Sequence, residues 1–146
     1  MELIEVSIDF NFYYKIFKRN LLILINMAYV LHLRVIEAKN LAKMDLFSKS
    51  DPYVVIKMSG STIINKTHYK KNTLTPRWNE EFHIPVSNPS TDMLHLKMYD
   101  KDVTNDDSMA TLDIPLSSLP LGRVIDQWYD MVPCQRVKKG GEIHLV

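Results

Sequence analysis

Six aspartates stand in two short stretches of this chain: Asp45 and Asp51 in MDLFSKSDPY (44–53), and Asp100, Asp102, Asp106 and Asp107 in DKDVTNDD (100–107). Carboxylates held in loops are hard oxygen donors. Brought together they repel one another until a cation neutralises them, and calcium, which accepts about six to eight oxygen ligands, suits such a set better than magnesium. Either stretch alone reads as an ordinary solvated turn, because aspartate is a common turn residue. An EF-hand reading of DKDVTNDDSMAT fails, since Asn105 stands at the turn-glycine position and Thr111 at the position of the bidentate glutamate. Between Asp45 and Asp51 lies the apolar pair Leu46-Phe47, an unusual choice for a surface loop.

The elements that position these loops are strands. From Tyr29 onward, Leu31, Leu33 and Val35 alternate with His32 and Arg34, the period-two pattern of a half-buried strand. The pattern returns at 53–58, 62–70, 81–86, 94–100, 109–114, 124–131 and 141–146, with turn-forming residues between the runs. Eight short strands without a helical period predict an all-β fold, an eight-stranded antiparallel β-sandwich. If successive strands alternate in direction, the connections 37–51, 71–80, 100–108 and 132–140 emerge at one end of the sandwich. The two acidic loops then share a rim.

A chain of 146 residues, 46% hydrophobic and 24% charged, fits one domain with a substantial core. The net charge of +1 argues against a broad nucleic-acid surface. Cys134 is the single cysteine, which excludes an internal disulfide and suits a reducing, cytoplasmic setting. The apolar run at 20–31 is shorter than the roughly 20 residues a membrane span requires and is interrupted by Asn26, so residues 1–26 read as an extension before a domain at 27–146. No enzyme motif is present: there is no Gly-x-Ser-x-Gly elbow and no His-Glu-x-x-His pair. The five histidines, at 32, 68, 83, 95 and 144, fall on different strands and read as surface positions.

LHLRVIEAKNLAKMDLFSKSDPYVVIKM (31–58), KKNTLTPRWNEEF (70–82) and LKMYDKDVTNDDSMATLDIPL (96–116) together resemble successive signature stretches of the C2 domain, the calcium-dependent phospholipid-binding module of protein kinase C and the synaptotagmins. The resemblance covers about residues 28–146. It implies the permuted topology in which the loop-one strand comes first. It also implies a ligand set of Asp45, Asp51, Asp100, Asp102 and Asp107, joined by the main-chain carbonyls of Met44 and Lys101, around about two or three calcium ions. The second acidic loop is slightly shorter than the family's common spacing, so Asn105 and Asp106 stay open as alternatives to Asp107, and Ala110 replaces a usual glycine.

On this resemblance the function is calcium-dependent binding of anionic phospholipid membranes by a cytoplasmic protein that becomes peripheral to the membrane once calcium is bound. Leu46, Phe47 and Val103 would enter the acyl boundary. Alternation places Lys66, His68 and Lys70 on one face, with Lys57 on the preceding strand, and in the family the corresponding strands form a basic groove for phosphoinositide headgroups. The alternative is a protein-interaction module that keeps the sandwich and uses its loops or edges for a protein partner.

Overall fold

The computed structural model describes residues 29–44 and 49–146. The expected extension 1–26 and the loop-one residues Asp45, Leu46 and Phe47 lie outside the described residues.

The described chain folds into nine strands: β1 (Tyr29–Lys39), β2 (Pro52–Met58), β3 (Ile64–Lys66), β4 (Arg77–Val86), β5 (Met93–Asp100), β6 (Asp107–Pro115), β7 (Gln127–Asp130), β8 (Val132–Pro133) and β9 (Glu142–Leu145). They form two sheets, ordered β4-β1-β9-β7 and β3-β2-β5-β6-β8, and every pairing is antiparallel. The expected β-sandwich is thus present, with the two-residue β8 as an addition. Among the described residues no helix is long and apolar enough to cross a membrane.

Alternation builds the core. In β5, Leu94, Leu96 and Met98 are buried while His95, Lys97 and Tyr99 point outward, and β2 does the same with Val54, Ile56 and Met58. These residues meet Leu33, Val35, Trp78, Ile84 and Ile143 from the opposite sheet in one cluster. Truncating a fully buried Ile56 or Leu96 to alanine would cost about 2–5 kcal/mol through lost burial and the cavity left behind.

Two departures from the alternation pattern matter for function. The run 62–70 forms a strand only at Ile64–Lys66. Beyond it Thr67 turns inward and is buried, where its Oγ1 accepts the Val54 N–H at 2.9 Å and its own N–H donates to the Val54 carbonyl. The β5–β6 pairing is the second. It pairs Met98 with Ala110 but Tyr99 with Ser108, so Met109 is an extra residue in β6, a β-bulge. Because a one-residue slip exchanges the two faces of a strand, the bulge turns Asp107 to the face of Asp100, its cross-strand partner.

Candidate functional site

The ends of β2 and β5 and the start of β6 lie side by side, and the acidic residues fall there in register. Pro52 pairs with Asp100, and Asp100 with Asp107, while Asp51 directly precedes Pro52. Asp51, Asp100 and Asp107, which come from two loops far apart in sequence, therefore share one rim.

Asp100 is almost wholly buried, and its Oδ1 accepts the Asp51 N–H at 2.6 Å. Asp51 is held twice more: its Oδ1 accepts the Asn72 N–H at 2.6 Å, and its carbonyl accepts the Lys101 N–H at 3.1 Å. A buried carboxylate is costly unless hydrogen-bonded, and these contacts fix the two acids against each other. Ser50, fully buried, closes the base of loop one: its Oγ accepts the Met44 N–H at 3.2 Å and donates to the Ala42 carbonyl at 3.4 Å. Met44 itself is half-buried against the core.

Asn72 is a residue whose part the sequence pattern did not disclose. Its N–H donates to Asp51 and its Oδ1 accepts the Lys49 N–H at 2.9 Å, so the β3–β4 connection braces the end of loop one. Its backbone is left-handed, with φ of 50°, a conformation that asparagine tolerates better than most residues. Its position in the run KKNTLTP was the available signal.

The two adjacent acids of the second loop part company. Asp106 lies on the outer side, where its Oδ2 accepts the Tyr53 hydroxyl at 2.7 Å and its Oδ1 accepts Lys101 Nζ at 2.8 Å and the Asp102 N–H at 3.0 Å. The Lys101 ammonium, then the Tyr53 hydroxyl and the Asp102 amide, hold the Asp106 carboxyl down at about 2. Burial, then the hydrogen bond to Asp106, pushes the Tyr53 hydroxyl up to about 12. Asp106 is thus the anchor of this loop, while Asp107 faces the side of Asp100. At the loop tip Val103 is completely exposed.

These donors fit calcium by chemistry: they are carboxylate oxygens on adjacent loops at one end of a rigid sandwich. Among the described residues, no three of the aspartates bring ligand oxygens within 4.8 Å of one another.

The second surface is the outer face of the five-stranded sheet. Lys66 on β3 and Lys97 on β5 both pair with Val55, and Lys57 lies one row further, between Ile64 and His95. Lys97, the odd-numbered outward residue in LHLKMYD, was not among the expected basic residues, and it sits over the Tyr99 ring at 5.0 Å. His68 is turned elsewhere. Its N–H and its ring Nδ1 both meet the Glu80 carboxylate, at 3.0 Å each. Lys70 follows Thr67 outside the strand, its N–H donating to the Pro52 carbonyl.

The family model for the C2 domain matches residues 29–131. The chain belongs to the C2 domain family. This C2 domain is 38% identical over 95 residues to synaptotagmin-3 of Arabidopsis thaliana, an alignment that takes in 64% of this chain and 18% of that protein. It therefore spans less than a fifth of the length of that relative. Its fold matches that of a C2 domain of a plant extended synaptotagmin 1, with a TM-score of 0.73 at 30% identity, over 80% of this chain and 89% of that one. It also matches the calcium-bound pair of C2 domains of extended synaptotagmin 2, with a TM-score of 0.69 at 30% identity, over 80% of this chain and 43% of that one.

Proposed function

We propose that this C2 domain is a calcium-dependent, non-enzymatic module that docks on anionic phospholipid membranes through its acidic rim. The observation that carries the reading is the row Pro52–Asp100–Asp107 with Asp51 beside it, which brings carboxylates from two distant loops to one edge. The calcium bound to the C2 domains of extended synaptotagmin 2 supports the same reading. The ligand set is Asp45, Asp51, Asp100, Asp102 and Asp107, with the carbonyls of Met44 and Lys101, around about two or three ions. Asp107 takes the last place in preference to Asp106, because Asp106 is already engaged by Lys101, Tyr53 and the Asp102 amide.

Each group of this chain has a task in docking. The carboxylates hold the site negative at rest and so repel anionic headgroups. Bound calcium supplies positive charge and coordination positions that lipid phosphate oxygens complete, which makes the rim an electrostatic switch. Leu46, Phe47 and Val103 then enter the acyl boundary. On the outer face, Lys57, Lys66 and Lys97, with Lys70 nearby, attract phosphoinositide headgroups. His68 contributes less, since Glu80 holds it. The protein is cytoplasmic and becomes peripheral to the membrane when calcium rises.

Calcium titration by calorimetry tests this. Binding is expected to be weak in solution and tighter with anionic vesicles, because the lipid adds ligands to the folded, calcium-loaded form. Asp102→Asn should remove most of it. Absence of calcium binding to the wild-type chain in the presence of vesicles would refute the proposal.

A further inference from the structure

On the four-stranded sheet, far from the acidic rim, β1 and β4 bring together three side chains that calcium chemistry does not use. His32 pairs directly with His83 across the two strands, and Arg34 pairs with Glu81 in the next outward row. Directly opposed residues on antiparallel strands share a face, and residues two apart on one strand do so as well. His32, Glu81 and His83 consequently project from the same outer surface. Their ligand atoms all lie within 4.8 Å of one another. Among the described residues no other group of three or more histidine, cysteine, aspartate or glutamate side chains is so closely gathered.

We propose that His32, Glu81 and His83 form a binding site for zinc, a late first-row divalent cation, on the outer face of the β1–β4 pair. Two imidazoles and one carboxylate are borderline-soft donors of the kind zinc selects, whereas calcium and magnesium favour all-oxygen shells. One of the three spacings is already that of a tetrahedral centre. Zinc bonds of about 2.0–2.1 Å place neighbouring ligand atoms about 3.3 Å apart, and His83 Nε2 lies 3.4 Å from Glu81 Oε1. The two imidazoles stand edge to face, with centroids 4.6 Å apart and ring planes at 66°. The His32 ligand nitrogen lies within 4.8 Å of the other two ligand atoms, so it has at most about 1.5 Å to close to reach zinc-site spacing.

The surroundings favour a preorganised but open centre. His32 is half-buried while Glu81 and His83 are exposed, so the cation is reached from solvent and keeps coordination positions for water or an outside donor. All three ligands stand on paired strands rather than on loops, which limits the freedom lost on binding. Arg34 Nη2 lies 3.6 Å from Glu81 Oε2, the oxygen not facing His83. It holds the carboxylate from the far side and offsets part of the attraction for a second cation. His32 precedes the loop end of β1 by seven residues, about 23 Å along an extended strand, so this centre and the acidic rim are separate. Zinc here would bridge β1 to the edge strand β4.

The test is zinc titration of the full 146-residue chain against a chromogenic zinc chelator, in a Cys134→Ser background to remove the thiol and in excess calcium to occupy the acidic loops. One zinc per chain is expected. His32→Ala and His83→Ala should each weaken it by at least about tenfold, since even partners one shell out from a metal are worth about 10–100-fold. Glu81→Gln should weaken it less. Both histidine positions face outward, so the zinc-free variants should melt near the parent temperature, which separates loss of a ligand from loss of the fold. In proton NMR the imidazole signals of His32 and His83 should shift on adding zinc while those of His68, His95 and His144 stay. Unchanged zinc affinity in both histidine variants, or shifts confined to the other three imidazoles, would overturn the proposal.

Discussion

Val103→Ser separates membrane insertion from folding. Val103 is completely exposed, at 104% of the reference surface, so it contributes no packing to the folded state. Its replacement should change stability by no more than about 0.5 kcal/mol, the range of ordinary surface substitutions. On a vesicle the same side chain has much to gain. Moving a valine side chain fully out of water contributes about 1.5–3 kcal/mol, and shallow insertion at the acyl boundary gives the lower end of that range. Since about 1.4 kcal/mol is tenfold in an equilibrium constant, the variant should bind anionic vesicles roughly tenfold more weakly in saturating calcium. Binding followed by energy transfer to a labelled lipid, at two ionic strengths, provides the measurement. The defect should persist at high salt, because burial of apolar surface is not screened, and calcium affinity in solution should match the wild type. Vesicle binding equal to wild type at both ionic strengths would mean that the tip of this loop stays in water and that the insertion reasoning is wrong.

Replacing Lys57, Lys66 and Lys97 together by alanine should weaken binding to phosphoinositide vesicles by about 1 kcal/mol per residue at low salt and much less at high salt, the reverse of the Val103 signature. A salt-insensitive loss in a vesicle sedimentation series would contradict it. Asp106 predicts an acid effect: its carboxyl falls from an ordinary 3.8 to about 2 in the folded chain. A lowered folded value stabilises above the unfolded one and is lost as pH falls, so the stability difference between wild type and Asp106→Asn should shrink between about pH 4 and pH 2. Thermal midpoints across that window decide it, and a constant difference would show that Asp106 does not anchor the loop through its charge.

The sandwich was legible wherever alternation is sustained, as in YVVIKM and LHLKMYD, because a strand buried on one face must repeat its apolar residues every second position. Sharing of the rim by the two acidic loops followed from strand direction alone. Three features were not legible. The strand expected through His68 ends at Lys66, because the Thr67 side chain finds the Val54 backbone and His68 finds Glu80, partners that no local pattern encodes. The bulge at Met109 adds one residue without any glycine or proline to mark it, and it decides which acid of the pair Asp106-Asp107 faces Asp100. The histidines, which looked dispersed because they fall on different strands, include a pair that the β1–β4 register sets directly opposite each other. Pairing register is a long-range property, and a single strand read in isolation does not contain it.

The order β4-β1-β9-β7 leaves β4, ten residues long, at the rim of its sheet with a backbone that another chain could extend. Proteins that crowd onto a two-dimensional surface meet one another at far higher local concentration than in bulk, which raises the danger of edge-to-edge fusion. β4 carries its own safeguards. Asn79 adopts a left-handed backbone with φ of 52° that breaks the straight run, Pro85 offers no N–H, and Arg77, Glu81 and His83 add polar bulk along the strand. On the other sheet the margins are β3 and β8, three and two residues long, too short to template a partner. Dense accumulation at a bilayer is therefore compatible with remaining unaggregated, because among the described residues no margin of either sheet is both long and smooth.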